Sequence, residues 1–351
     1  MSTAAPVAIS LADQNIAAAW DRYVAHHDAG TFFHRFGWGK LAENAYGYEA
    51  KPLIARRGEK IVGVLPTTLV RAPLLGRSLI STAFTVGGGP LYDDLEVLGA
   101  LTQEAKSIGE AAKVNYIEMR SDAPLGADWL EKSGIYADFE LTLCTDEKEN
   151  LSLIPRKRRA EVRKAIGAAQ RGELCLRVVD NPDEFYNLYA VSLRDHGTPI
   201  FPRKFLHGLL EQFSDDTEIL IADYQGQPVS ALLSFYTHDR VLPYYIGALP
   251  AARDARAAEF LYWSLMRRAV ERDIFRFDFG RSKIDTGPYH FKKLWGAHPQ
   301  PLTYRCKLIG AEALPDVNPN NPKFARFVSL WRRLPVPIAN IAGPVLAANF
   351  A

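Results

Sequence analysis

Two stretches of this chain read as versions of one another: Val114-Asn115-Tyr116-Ile117-Glu118-Met119-Arg120-Ser121 and Phe275-Arg276-Phe277-Asp278-Phe279-Gly280-Arg281-Ser282. Each places apolar side chains at alternate positions, the pattern of a strand, around a central acid, and each closes on Arg-Ser. Their surroundings match as well. Helical segments, 94–112 and 254–273, precede them, and ahead of those come extended runs at 78–86 and 241–248. Ahead of the runs lie hairpins: Leu53-Ile54-Ala55, a polar turn Arg57-Gly58-Glu59-Lys60 and a strand at 61–70, then Leu220-Ile221-Ala222, Gln225-Gly226-Gln227-Pro228 and a strand at 229–236. Further upstream a short strand at 7–11 leads to helices at 15–28 and 38–46. Its counterpart at 174–179 leads to a helix at 182–196, capped by Asn181 with Pro182 in its first turn and stopped by Gly197 and Pro199, and then to a helix at 202–213.

One plan therefore occurs twice: strand, helix, helix, three antiparallel strands, helix, strand, helix, strand. Strands and helices grouped in this way within one unit predict an α+β fold. The expected organisation is a first domain at 1–150, a basic helical connector at 151–172, a second domain at 173–310 and a Pro-rich tail at 311–351. A length of 351 residues fits two domains of ordinary size. Forty-two Lys and Arg against forty Asp and Glu leave a formal charge of +2, which excludes a general polyanion binder and an acidic solvating chain. Cys144, Cys175 and Cys306 show neither CxxC nor Cys/His spacing, so buried reduced thiols are expected and no metal. The first residues, MSTAAPVAISLADQ, lack a basic segment followed by an apolar core, and the uncharged run 334–351 is broken by Pro335, Pro337 and Pro344. The expectation is a cytoplasmic protein, with peripheral contact at the inner face of the cytoplasmic membrane as a further possibility.

The order of elements resembles the GNAT acyltransferase fold in tandem. Two such units joined by Arg158-Arg159-Ala160-Glu161-Val162-Arg163-Lys164-Ala165 resemble the FemAB family of peptidoglycan-bridge aminoacyltransferases. The second half is more specifically similar to FemAB-like proteins of PEP-CTERM/exosortase exopolysaccharide loci. The stretches concerned are Arg194-Asp195-His196-Gly197-Thr198-Pro199-Ile200-Phe201-Pro202, Phe277 to Lys283, Thr286 to Gly296, and Leu302-Thr303-Tyr304. The resemblance implies transfer of an acyl or aminoacyl group to an amine or hydroxyl, without a tightly bound cofactor. It implies acyl-CoA or aminoacyl-tRNA as donor and a glycan or lipid-linked glycan as acceptor. Two alternatives stand beside it: an acyl-CoA-dependent N-acyltransferase acting on a small metabolite, and a non-catalytic glycan-binding or assembly module.

The same resemblance places a functional lysine in Phe291-Lys292-Lys293-Leu294-Trp295-Gly296, at Lys292. Acyl transfer passes through a tetrahedral oxyanion, which a fixed cation stabilises. The bland reading is two surface lysines on a short helix whose Phe291, Leu294 and Trp295 face the core. Asp278 ends a strand that splays from its neighbour in such a sheet, where it would orient or deprotonate the nucleophile; otherwise it pairs with Arg281 or Arg276. Asp278-Phe279-Gly280 spells a kinase motif, but the companion kinase motifs are missing from the sequence. His196 is either a general base or a helix-end residue favoured by the dipole. Arg281, Ser282, Lys283 and Lys293 are candidate substrate contacts. Of Tyr244 and Tyr245, alternation predicts that one faces substrate and the other the core. Simple GNAT enzymes bind donor pyrophosphate through a Gly-rich loop; here Arg253-Asp254-Ala255-Arg256-Ala257-Ala258 stands in its place, with Arg256 where the first glycine would be, leaving Arg253 and Arg256 as candidate phosphate contacts. Gly87-Gly88-Gly89-Pro90 reads as a flexible turn. The basic connector has two readings, a grip on tRNA phosphates or an anionic sugar substrate, and a solvated helix face joining the domains. The stretch 324–331, followed by Arg332 and Arg333, reads as an amphipathic segment that either approaches anionic lipid or packs on the second domain.

Overall fold

The computed structural model describes residues 5–315 and 322–351, apart from the side chains of 322–326. In the first half the elements are β1 (Val7–Leu11), α1 (Ala17–His26), α2 (Gly37–Tyr46), β2 (Glu49–Arg57), β3 (Lys60–Ala72), β4 (Gly76–Ile80), β5 (Leu91–Tyr92), α3 (Leu95–Ala111), β6 (Tyr116–Met119) and β7 (Leu130–Thr142). After α4 (Glu147–Leu153) and α5 (Arg156–Gln170) come β8 (Leu174–Val179), α6 (Pro182–His196), α7 (Arg203–Gln212), β9 (Thr217–Tyr224), β10 (Gln227–Tyr236) and β11 (Arg240–Ala248). The chain continues through α8 (Ala251–Ala255), α9 (Ala257–Val270), β12 (Arg276–Asp278), β13 (Ser282–Lys283), α10 (Gly287–Lys293) and β14 (His298–Leu308), and ends in α11 (Pro322–Trp331) and α12 (Val336–Ala347). The α+β expectation holds.

Local chemistry explains these boundaries. Asp94 caps α3 by accepting from the Val97 amide at 3.1 Å, and Asn181 caps α6 by accepting from the Asp183 amide at 2.9 Å. Gly197 ends α6 in the left-handed conformation at φ 80°, which costs a residue without Cβ nothing.

The chain divides into two compact units, Met1–Gly134 with Leu302–Asn318 and Val345–Ala351, and Ile135–Pro301 with Pro319–Pro344. These differ from the domain limits expected above because the last strand of each repeat is counted with the other half. Within the first unit, β6 pairs antiparallel with β14 through Arg305 to Leu308; within the second, β12 pairs antiparallel with β7 through Glu140 to Thr142. The first unit's strand order is β1-β2-β3-β4-β6-β14, and the second's is β7-β12-β11-β10-β9-β8. Both sheets are mixed, because β4 runs parallel to β6 and β11 parallel to β12. The first unit buries Leu53, Leu65, Leu101, Ile117 and Met119; the second buries Leu232, Val241, Leu261, Leu265, Phe277 and Trp295.

Several local expectations fail. The run at 78–86 ends as a strand at Ile80, and 81–90 becomes a loop with Gly88 and Gly89 buried. That loop is pinned rather than flexible: the Thr82 hydroxyl donates to the Gly88 carbonyl at 3.0 Å and the Thr85 hydroxyl to that of Gly87 at 2.7 Å. The helix expected over 254–273 breaks into α8 and α9 at Arg256, whose φ is 57°. Only Cys306 is fully buried, while Cys144 is half-buried and Cys175 exposed on the edge strand β8. In the tail, α12 forms despite containing Pro344.

Candidate active site

In the second unit, β11 and β12 pair only through Arg240–Arg276 and Val241–Phe277. Beyond this point the strands part, and Asp278 ends β12 at the opening. The residue is 7% exposed; its Oδ1 accepts from the Gly280 amide at 2.8 Å, and its Oδ2 lies 4.0 Å from the Arg240 guanidinium. Neither partner considered from the sequence is used. Arg276 instead binds Glu140 at 2.7 Å and 3.1 Å, and Arg281 lies over the Tyr136 ring at 4.4 Å.

Burial pushes Asp278 up to about 7, with the neighbouring Asp138 carboxylate adding to the shift and Arg240 opposing it. Asp138, on β7, is itself raised by burial, and its Oδ1 has no hydrogen-bond partner among the described residues. Sequence reading missed Asp138, Glu140 and Arg240. The first two stand two apart on β7 and so project from one face of it, which was a legible signal. Their closeness to Asp278 arises only from the long-range pairing of β7 with β12.

Lys292 sits in the last turn of α10 and is 7% exposed, whereas Lys293 is exposed and lies over the Tyr289 ring at 5.7 Å. The reading of two surface lysines fails for Lys292. Trp295 is fully buried and Phe291 packs on the core, but Leu294 is 43% exposed. The Lys292 ammonium donates to the Gly280 carbonyl at 2.7 Å and to the Arg281 carbonyl at 3.0 Å, with Phe139 beneath it at 5.7 Å. Burial lowers its pKa to about 8 although Asp138 and Asp278 favour the charged form. The turn that places Asp278 is thus the turn that holds Lys292. Ser282 lies in the same turn, buried, and its hydroxyl lacks a partner among the described residues. Lys283 follows it, paired on β13 with Tyr136 of β7.

The remaining candidates fall elsewhere. His196 is exposed at the end of α6, where its Nδ1 lies 2.6 Å from the Ser192 carbonyl of its own helix. Arg253 is exposed on α8. Arg256 donates to Glu161 of α5 at 2.5 Å and to the Asp254 carbonyl at 2.8 Å. Arg158 of the connector binds Glu259 and lies 4.9 Å over Phe291, so part of that basic run is engaged in packing. Alternation fails at Tyr244 and Tyr245 because a bulge intervenes: Leu233 faces Tyr245 while Ser234 faces Pro243, and Tyr244 is the extra residue. The two rings touch at 4.7 Å, both pack against Phe235, and both stay half-buried.

The first unit offers a direct contrast. Glu118 takes the place of Asp278, yet Arg120 donates to one of its oxygens at 3.0 Å and Lys132 to the other at 3.0 Å. Burial alone would raise its pKa, but these two cations outweigh burial and hold the carboxyl at about 2. Glu118 is a locked ion-pair member. Asp278 has no such pair of cations: burial and Asp138 raise it, and Arg240 only partly opposes them.

Residues 156–293 match the family described as Acetyltransferase (GNAT) domain. A crystal structure of FemX superposes with TM-score 0.66 at 14% identity, over 86% of this chain and 98% of that one. A tandem GNAT protein from the clavulanic acid biosynthesis pathway superposes with TM-score 0.56 at 12% identity, over 88% and 100%. The fold is that of the GNAT acyltransferases, laid down twice. A conserved protein of unknown function from Bacteroides thetaiotaomicron VPI-5482 shares it, with TM-score 0.56 at 11% identity over 87% and 100%. At these identities the likeness concerns the fold. No curated protein matches the chain in sequence.

Proposed function

We propose that the second GNAT unit transfers an acyl or aminoacyl group to an amine or hydroxyl of a cell-envelope glycan or its lipid-linked precursor. The observation that carries this reading is the buried pair of Asp278, raised to about 7, and Lys292, lowered to about 8, held by one turn at the splayed end of β11 and β12. A carboxylate near its pKa at neutral pH takes a proton from an attacking nucleophile with little penalty. An ammonium with three donors, two of them bound to carbonyls, keeps one N–H for an oxyanion.

The acceptor nitrogen or oxygen attacks the donor carbonyl carbon, and the carbonyl π electrons move onto oxygen beside Lys292. Asp278 receives the nucleophile's proton. The oxyanion then collapses, the bond to the donor carrier breaks, and the carrier leaves with that electron pair and takes up a proton. Arg281, Ser282, Lys283 and Lys293 flank this point as substrate contacts, with the half-buried Tyr244 and Tyr245 on β11. His196 has a lesser claim, since its ring bonds its own helix.

The match to the GNAT domain family supports acyl-CoA as donor, and aminoacyl-tRNA is the donor that the FemAB-like resemblance adds. Arg253 is open to a donor phosphate, while Arg256 would have to release Glu161. The exopolysaccharide setting rests on the sequence resemblance, as does placement at the cytoplasmic side of the membrane.

Purified protein incubated with each donor class and with amino- and hydroxyl-bearing glycans, read by mass spectrometry, tests the chemistry. Comparison of host polysaccharide with and without the protein tests the setting. Acyl mass added by the wild type but not by Lys292→Met supports the reading. Unchanged acylation in Lys292→Met, or an unaltered acyl pattern in the host, overturns it.

A further inference from the structure

The sequence placed its amphipathic stretch at 324–331; the side chains up to Arg326 lie outside the described residues, and the structure turns most of the rest inward. Trp331 is 3% exposed and stacks on Phe327 at 5.6 Å, and Val328 packs over Gly197. Arg194 anchors the following turn by donating to the Leu334 carbonyl at 2.9 Å. The unpartnered apolar surface lies one helix later. On α12, Ala339 and Gly343 face the protein, with the Gly343 backbone against Ile200. Ile338 and Ile341 stand outward at 51% and 78% exposure, and Val345 continues the stripe at 62%. Their spacing of three and four residues puts them on one face. Leu330, beside the α11–α12 turn, is 67% exposed.

Charge identifies the partner. From residue 317 to 351 the chain has no Asp or Glu, and its only charged side chains are Lys323, Arg326, Arg332 and Arg333. Arg332 and Arg333 are exposed immediately ahead of α12, and Arg332 also donates to the His196 carbonyl at 3.5 Å. An outward apolar helix face beside cations, in a segment that carries no acid of its own, is the chemistry of attraction to an anionic lipid surface. Among the described residues no helix is long and apolar enough to cross a bilayer, so contact would be in the interface plane.

We infer that α12 is a docking helix for anionic membranes, with Ile338 and Ile341 entering the acyl boundary and Arg332 and Arg333 meeting headgroups. This surface is independent of the acyl-transfer chemistry, so failure of either leaves the other standing. Full-length protein is floated with vesicles of phosphatidylcholine alone and of phosphatidylcholine with phosphatidylglycerol, at low and high salt. The wild type floats with the anionic vesicles at low salt and much less with the neutral ones. Arg332→Gln/Arg333→Gln lowers partitioning about thirty-fold, and Ile338→Ser/Ile341→Ser about a hundred-fold. These side chains are exposed, so melting curves should match wild type; if the serine variant fails to fold, the glutamine variant and the salt dependence decide.

Absence of flotation with anionic vesicles overturns the inference, as does flotation that neither substitution pair reduces. A concentration-dependent dimer in light scattering that Ile338→Ser/Ile341→Ser abolishes, without flotation of the wild type, assigns the face to self-association and overturns it as well.

Discussion

The Lys292 ammonium lies 2.7 Å from the Gly280 carbonyl oxygen, so the cation that would meet an oxyanion also holds the backbone after Asp278. Removing it has two consequences that a conservative replacement separates. Lys292→Met leaves the Gly280 and Arg281 carbonyls without this donor, at a cost of about 1–3 kcal/mol, and lowers transfer by about a hundred-fold or more. Lys292→Arg keeps the charge but cannot reproduce a compact ammonium, so it recovers more stability than turnover. Urea unfolding and single-turnover assays on the three proteins check both expectations.

Asp278 and Lys292 imply a narrow pH window. In the proposed mechanism transfer needs Asp278 ionised, so the rate should rise through about 7, and Lys292 protonated, so it should fall above about 8. The limbs belong to a coupled set that includes Asp138, Glu140 and Arg240. Asp278→Asn removes the rising limb along with the base. The same substitution alters stability with a defined sign. A carboxyl whose pKa is raised on folding contributes stability that is present below the ordinary carboxylate range and lost as pH rises through about 7. Asp278→Asn therefore loses less stability than wild type between pH 5 and pH 8, by about 2 kcal/mol, in urea titrations at both values.

The strand–turn–strand units were legible because their signals are local. Alternating apolar residues flank polar turns in which Gly58 and Gly226 take positive φ, and β8 and α6 begin and end where the sequence predicts. What was not legible depends on pairing across distance or on a local rule being broken. Asp138 meets Asp278 only because β7 joins β12, and no short-range pattern records that pairing. The bulge at Tyr244 shifts which ring faces where; Pro243, which cannot donate to the ladder of a central strand, was the signal for it, and a simple alternation rule passes over that signal. Lys292 was chosen by resemblance; its burial beneath the Gly280 turn is what distinguishes it from Lys293.

Arg120 makes the first unit's strand end structural. Its guanidinium is nearly buried and donates to Glu118 at 3.0 Å, to the Thr82 and Thr85 carbonyls at 2.9 Å and 2.6 Å, and to the Ala351 carbonyl at 2.7 Å. Arg120→Ala leaves Glu118 with Lys132 and the Cys306 thiol and strips three carbonyls, at a cost of about 3–5 kcal/mol. Arg120→Lys recovers only part of this, since a point charge cannot replace a planar fork. Chemical denaturation measures the loss. Hydrogen exchange should show it concentrated in residues 81–90, the loop whose carbonyls Arg120 binds.

Arg256 tests whether backbone or side chain decides the break between α8 and α9. At φ 57° an L-residue bears about 1–2 kcal/mol of strain that glycine avoids, while the partly exposed Arg256–Glu161 pair contributes about 0.2–1 kcal/mol. These terms oppose each other in Arg256→Gly, so that variant stays within about 1 kcal/mol of wild type. Arg256→Val keeps the left-handed backbone, adds a β-branched side chain and loses the ion pair; it should fall about 1–2 kcal/mol below the glycine variant. Equal losses in the two variants would mean that the bond to Glu161 holds the break in place. A glycine variant as stable as wild type would mean that the turn itself does, with arginine tolerated there for its side chain.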